Sequence, residues 1–276
     1  MYYQTHRTLI TIFLLIFCAS FAFSQGLYWE SVTTVSMAGE HKMNSKSYYR
    51  PHMFKQMSDE EATIFRLDKE VLYTIDYHQK EYSEMTFAEL EALVKQANSE
   101  LEGQMAELKK HLADMPAEQR EAMEQMMGNK TKGGSGDTKI DVTKTSESKT
   151  ISGYSCTKYI FKEDGKEMGS IWTTTNVPDF SSMQKDFKEF SQRLASQMSM
   201  KGSQMAEAMK KVDGFPIQTT ISGITAMVTK IEKRSIAMSE FEVPAGFKKV
   251  KSENIMDKRH KGQQDPSPVE EEEEKD

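Results

Sequence analysis

Cysteine is nearly missing from this chain. Cys18 and Cys156 are the only two in 276 residues. A disulfide framework is excluded, and so is any Cys-x-x-Cys metal or redox site. Long apolar runs are missing beyond residue 24, so no later segment reads as a membrane-spanning helix. Basic stretches interleaved with aromatics are also missing. The net charge is −6, part of it carried by the tail "PVEEEEEKD", and nucleic acid is excluded as a partner. The chain contains no His-Glu-x-x-His, no Gly-x-Ser-x-Gly and no strand–glycine loop–helix phosphate cradle. The histidines His41, His52, His78, His111 and His260 follow no ligand spacing. These absences argue against an enzyme, and no cofactor is expected.

The N-terminus carries a distinct message. His6 and Arg7 precede the apolar run "LITIFLLIFCASFAF", which closes on Ala22-Phe23-Ser24. This pattern predicts a secretory signal peptide over 1–24, cleaved before Gln25. A lipoprotein signal acylated on Cys18 would want a small residue before the cysteine, where Phe17 stands. The expected protein is periplasmic or secreted, does not span the membrane, and keeps Cys156 as its one thiol. Residues 25–250 form one β-rich domain with helical insertions at about 86–127 and 180–212. The acidic tail, 251–276, has little to bury and is expected to be disordered.

Short alternating runs predict strands from Leu27 to Met85. "LYWESVTTVSM" places Leu27 and Trp29 on one face. Pro51 in "YYRPHMF" suggests an edge strand or a bulge. "TIFRLDKEVLYTI" reads as a hairpin around Asp68-Lys69-Glu70. The period then changes at Thr86, where Thr86 and Glu89 form a capping box. Leu90, Val94, Leu101, Met105 and Leu112 continue a helical stripe from Phe87. Pro116 opens a further helical segment, and "KTKGGSG" is a linker. Strands return near Lys139 and include a hairpin around Asp164-Gly165. After Pro178, Ser181 and Gln184 suggest a second capping box. Phe187, Phe190, Leu194 and Met198 make a second stripe, extended by Met205 and Met209. "FPIQTTIS", "ITAMVTKIEKRSI" and "FEVPAGFKKV" close the folded part.

The combination of "YYRPHMFK", "SGYSCTKY", "GSIWTTT" and "FEVPAGF" behind a cleaved signal resembles a family of secreted bacterial domains of unknown function. More distantly, the layout is similar to the periplasmic lipoprotein-carrier superfamily (LolA/LolB-like). That resemblance implies an α+β fold: a curved antiparallel sheet, an unclosed half-barrel, with both amphipathic insertions packed on its concave face. It carries over no catalytic residue.

Cys156 alternates with Tyr154 in a β-prone segment with Lys158 as its one basic neighbour. That setting predicts a buried thiol rather than a reactive one. The 20 methionines leave three readings open: core packing, Cu(I) ligation, or an adaptable apolar groove. The expected function is a non-enzymatic envelope module that shelters a lipid or acyl chain. Phe187, Phe190, Leu194, Met198, Leu90 and Val94 would line its site. The alternative is an envelope interaction protein that offers its Met-rich helices to a protein partner.

Overall fold

Period-two alternation of apolar and polar side chains builds the strands of this chain. The computed structural model describes residues 23–36, 40–58, 60–116, 119–120, 139–195 and 200–252. The first run of strands is β1 (Phe23–Val35), β2 (His41–Arg50), β3 (Met53–Met57), β4 (Glu61–Arg66), β5 (Val71–Asp76) and β6 (Glu81–Thr86). Helix α1 (Phe87–Ala113) follows. The second run is β7 (Ile140–Ile151), β8 (Tyr154–Glu163) and β9 (Lys166–Thr174), then helices α2 (Phe180–Ala195) and α3 (Met200–Met209), then β10 (Phe215–Ile221) and β11 (Ile224–Ala237). A 3-10 turn over Met238–Phe241 leads to the two-residue β12 (Lys248–Lys249).

All twelve strands lie in one sheet of order β12-β6-β5-β4-β3-β2-β1-β11-β10-β9-β8-β7. The fold is mixed α+β with a curved, open sheet. Two meanders meet at the β1–β11 ladder, and among the described strands only β12 pairs in parallel, with β6. Local sequence sets the tight turns. Ser152-Gly153, Asp164-Gly165 and Ser222-Gly223 each place both residues at positive φ. This is the backbone that a two-residue hairpin prefers.

Pro51 marks neither an edge nor a bulge. Arg50 pairs with Met53, so Pro51 and His52 form a two-residue turn between β2 and β3. Strand β7 runs through the polar stretch around Ser146 and takes its register shift there, between Lys144 and Ser148. The Thr86–Glu89 capping box is present. At the second helix, α2 already starts at Phe180, so Ser181 lies inside its first turn rather than ahead of it.

Adjacent residues of one strand face opposite ways, which separates the cores. Leu27 and Tyr49 join Cys156, Trp172, Met183 and Phe215 on one face. Tyr28 and Tyr48 join Met53, Ile64, Ile75 and Phe241 on the other. Helix α2 covers the first face through Met183 and Phe180. Helix α3 contributes Met205 to a third cluster around Tyr159, Phe161 and Ile171. Trp172 and Ile171 are strand neighbours, so α3 and α2 lie on opposite faces. The two helices of this insertion are therefore shared between the faces rather than gathered on one.

The C-terminal strap covers the face opposite α2. Phe241 is fully buried there. Arg66, 2 % exposed, holds Asp68 through two hydrogen bonds and reaches the Phe241 carbonyl and the Glu242 carboxylate. Buried Lys55 pairs with Glu240. The segment "FEVPAGF" thus acts as a clamp that returns the chain to the β6 edge. Expectations about the signal peptide, Cys18, the linker and the acidic tail fall on residues outside those described, apart from Phe23 and Ser24, which open β1, and Lys251 and Ser252 at the start of the tail. Cleavage before Gln25 would remove the two pairs that they make with Ala237 and Ile236.

Candidate functional site

The site is an aromatic seam where α2 crosses the sheet. Register places Leu27, Tyr49, Phe54, Phe65, Leu72 and Met85 in one cross-strand row over β1 to β6. A helical turn advances 5.4 Å and neighbouring strands are about 4.8 Å apart. A helix laid across strands therefore meets roughly one new strand per turn. Helix α2 does this. Met183 packs in the cluster with Leu27 and Tyr49. Phe187 sits edge-on to Phe54 of β3, with ring centroids 5.3 Å apart. Phe190 sits edge-on to Phe65 of β4 at 5.5 Å.

Further rings extend the seam at both ends. Phe180 meets Phe215 at 5.6 Å, and Phe215 meets Trp29 at 5.4 Å. Trp29 stacks on Phe54 at 5.7 Å. At the far end, Phe190 contacts Phe87, the first residue of α1, at 5.1 Å.

Burial is uneven along α2. Met183 and Asp186 are buried, Phe187 is 40 % exposed, and Phe190 is half-buried. Arg193, past the last ring, pairs with Glu70 of the β4–β5 turn and Glu91 of α1, and its guanidinium lies over Phe87. The gap between Phe187, Phe190 and the row beneath is about 10 Å³. That is at or below the space one water needs. The seam is closed, and a ligand would have to part it.

One carboxylate lies inside the seam. Asp186 accepts from the Tyr49 hydroxyl at 2.8 Å and the His52 backbone amide at 2.6 Å, with His52 Nδ1 at 3.3 Å. Burial, then the Asp186 hydrogen bond, pushes the Tyr49 phenol well above the usual tyrosine value. Sequence reasoning missed Asp186. Its signal was available: Asp186 stands three residues after Met183 and four before Phe190, on the apolar stripe itself.

Of the expected lining residues, the structure brings Phe187 and Phe190 to the row. Leu90 and Val94 lie half-buried on α1, which packs against β6 of the sheet. Leu194 belongs to α2, but its side chain lies outside the described residues, as does all of Met198. Of the methionines that extend the second stripe, Met205 packs on the Phe161 cluster and Met209 is exposed. Met123, Met126 and Met127 lie outside the described residues. Among the described residues, no group of three or more His, Cys, Asp or Glu side chains gathers as metal ligands. Cys156 is 1 % exposed, and its thiol donates to the Tyr154 carbonyl at 3.3 Å. Burial pushes that thiol upward in pKa. A separate open cleft of about 370 Å³ lies between α3 and the start of β7, beside Ile140, Gln204, Glu207, Ala208 and Lys211.

Comparisons with known proteins add a family likeness and little more. A family described as "Domain of unknown function (DUF4412)" matches residues 115–247. The match covers slightly less than half of the chain and holds β7 to β11 with α2 and α3, but not β1 to β6. It includes "SGYSCTKY", "GSIWTTT" and "FEVPAGF" and leaves out "YYRPHMFK". No curated protein matches the chain. An uncharacterized conserved protein from Thermus thermophilus is similar at 6% identity and a TM-score of 0.39, over 81% of this chain and 90% of that one. PNGF-II, in its C2 space group, is similar at 9% identity and a TM-score of 0.37, over 85% of this chain and 32% of that one. Likenesses this loose carry no argument about ligand or activity.

Proposed function

We propose that the protein is a non-enzymatic binding module of the cell envelope that shelters an apolar chain, a lipid or acyl group, beneath the distal half of α2. The observation that carries this reading is the unequal seating of that helix. Its first half is anchored by Met183 and Asp186, whereas Phe187 and Phe190 cover the aromatic row incompletely. The distal half works as a lid. Outward motion would replace ring–ring contacts by ring–ligand contacts of similar kind, so opening costs little once a chain is present. The pairs of Arg193 with Glu70 and Glu91 lie at the surface, where solvent screening keeps them weak enough to permit this. The periplasmic or secreted location rests on the N-terminal sequence.

Native mass spectrometry of gently extracted protein tests the reading, because it reports bound lipid and oligomeric state together. Protein that carries a lipid-sized adduct supports it. A second reading is an interaction domain. It draws on α1, which leaves Leu93 and Leu101 exposed. A mass that rises with concentration and carries no adduct would favour that reading.

A further inference from the structure

We propose that the outer edge of β7 takes an extended peptide of another protein as an added antiparallel strand, with the peptide's terminal carboxylate at Lys211. This surface is separate from the seam, and the proposal does not depend on the apolar-chain reading. Strand β7 is the last in the sheet, so one of its edges has no strand beside it among the described residues. The Asp164 amide donates to the Lys139 carbonyl at 3.0 Å, and Ile140 lies opposite Glu163. Along an antiparallel ladder, a residue bonded to its opposite alternates with one whose N–H and C=O point the other way. Ile140, Val142 and Lys144 therefore turn their backbone groups outward. All three precede the register shift of β7, so this stretch of the edge is regular.

The open cleft of about 370 Å³ lies on this edge: its lining comes from the start of β7 and from α3 and the residues just after it, with no β8 residue among the described ones. That volume is at the low end of small-molecule sites and has room for one side chain with its carboxylate. Ile140 and Ala208 form a buried apolar wall. Gln204 Oε1 is buried in the cleft and has no hydrogen-bond partner among the described residues. A carbonyl oxygen only accepts, so it suits a ligand that donates, as a peptide amide does and a hydrocarbon chain does not. The charges point the same way. Glu207, the one acid in the lining, pairs with Lys210, and Lys139 pairs with Asp141. Lys211 is exposed and has no ion-pair partner among the described residues. A strand added antiparallel to β7 ends at Ile140, so its carboxylate arrives beside Lys211. Exposed Lys144 and Lys149 stand along β7 and oppose pairing with the same strand of a second copy.

The test probes short peptides of random sequence, arrayed with their C-termini free or amidated, with the full chain. Free-ended peptides with an apolar last residue are expected to bind. Amidation is expected to weaken the best of them about tenfold, the scale of one hydrogen bond to a charged group. Lys211→Ala should weaken the free-ended peptides by about the same factor and leave the amides unchanged. Lys144→Pro removes an outward amide but no bond to β8, and should weaken both forms. Circular dichroism checks that each variant folds, and exposed Lys211 keeps the test decisive should Lys144→Pro not fold. Equal binding of acid and amide, or free-ended binding undiminished in Lys211→Ala, would overturn the proposal. So would binding unaffected in folded Lys144→Pro, or an array without binders. A mass that rises with concentration and falls when peptide is added would give the edge to a second copy, and would overturn it too.

Discussion

The Tyr49 hydroxyl donates to Asp186 Oδ2 at 2.8 Å, joining β2 to the middle of α2 across 137 residues of chain. The bond lies inside an apolar seam, so losing either end leaves a buried polar group behind. Asp186→Ala is expected to destabilise the protein by about 2–4 kcal/mol and Tyr49→Phe by about 1–2 kcal/mol. The double mutant should cost less than the sum of the two, by about 1 kcal/mol or more. Chemical denaturation of the four proteins measures all three quantities.

Phe190 and Met183 occupy the same stripe but differ in burial. Met183→Ala removes a fully buried side chain and should cost about 2–5 kcal/mol. Phe190→Ala should cost only about 1–2 kcal/mol, because the ring is half-buried and its neighbours can close over the space. It should nonetheless weaken uptake of an apolar probe, whereas an exposed control such as Leu101→Ala should leave uptake unchanged.

Arg66 anchors the C-terminal strap and has its charge fully buried. Asp68→Ala with Glu242→Ala would leave that guanidinium without a counter-charge, and a loss of about 3–5 kcal/mol is expected. The Arg66 hydrogen bond holds the Asp68 carboxyl below its ordinary value. A depressed folded-state pKa stabilises above the unfolded value, roughly 4 for aspartate. This contribution should be complete at neutral pH and lost as pH falls through the lower folded value. Acid unfolding should therefore begin at higher pH in Asp68→Asn than in wild type.

Much of the fold was legible because its signals are local. The capping box at Thr86 and Glu89, the Asp164-Gly165 hairpin and the alternation of Leu27 and Trp29 each depend on a few neighbouring residues. Pro51 misled, since proline serves equally at a strand edge and at the first position of a tight turn. The placement of α3 opposite α2 depends on which sheet face each stripe meets, and a helical period does not contain that information. Phe187 and Phe190 were legible as a stripe, but the row under them was not, because it collects one residue from each of six strands. Asp186 was passed over as one more charge on a charged helix.

Cys156 offers a check on the sheet side of the α2 core. Its thiol should react slowly with a disulfide reagent in the native protein and at the rate of a free thiol after denaturation. Cys156→Ser should cost about 1 kcal/mol, since the hydroxyl can keep the bond to the Tyr154 carbonyl while losing apolar packing. Rapid native labelling would mean that this core opens locally.

Hydrogen exchange along α2, measured with and without a long-chain acyl probe, tests the central claim most directly. The lid account predicts that amides 187–193 exchange faster than amides 183–186 in the free protein and become protected as the probe saturates. Equal, slow exchange along the whole helix, unchanged by the probe, would make the seam permanent core and contradict the account.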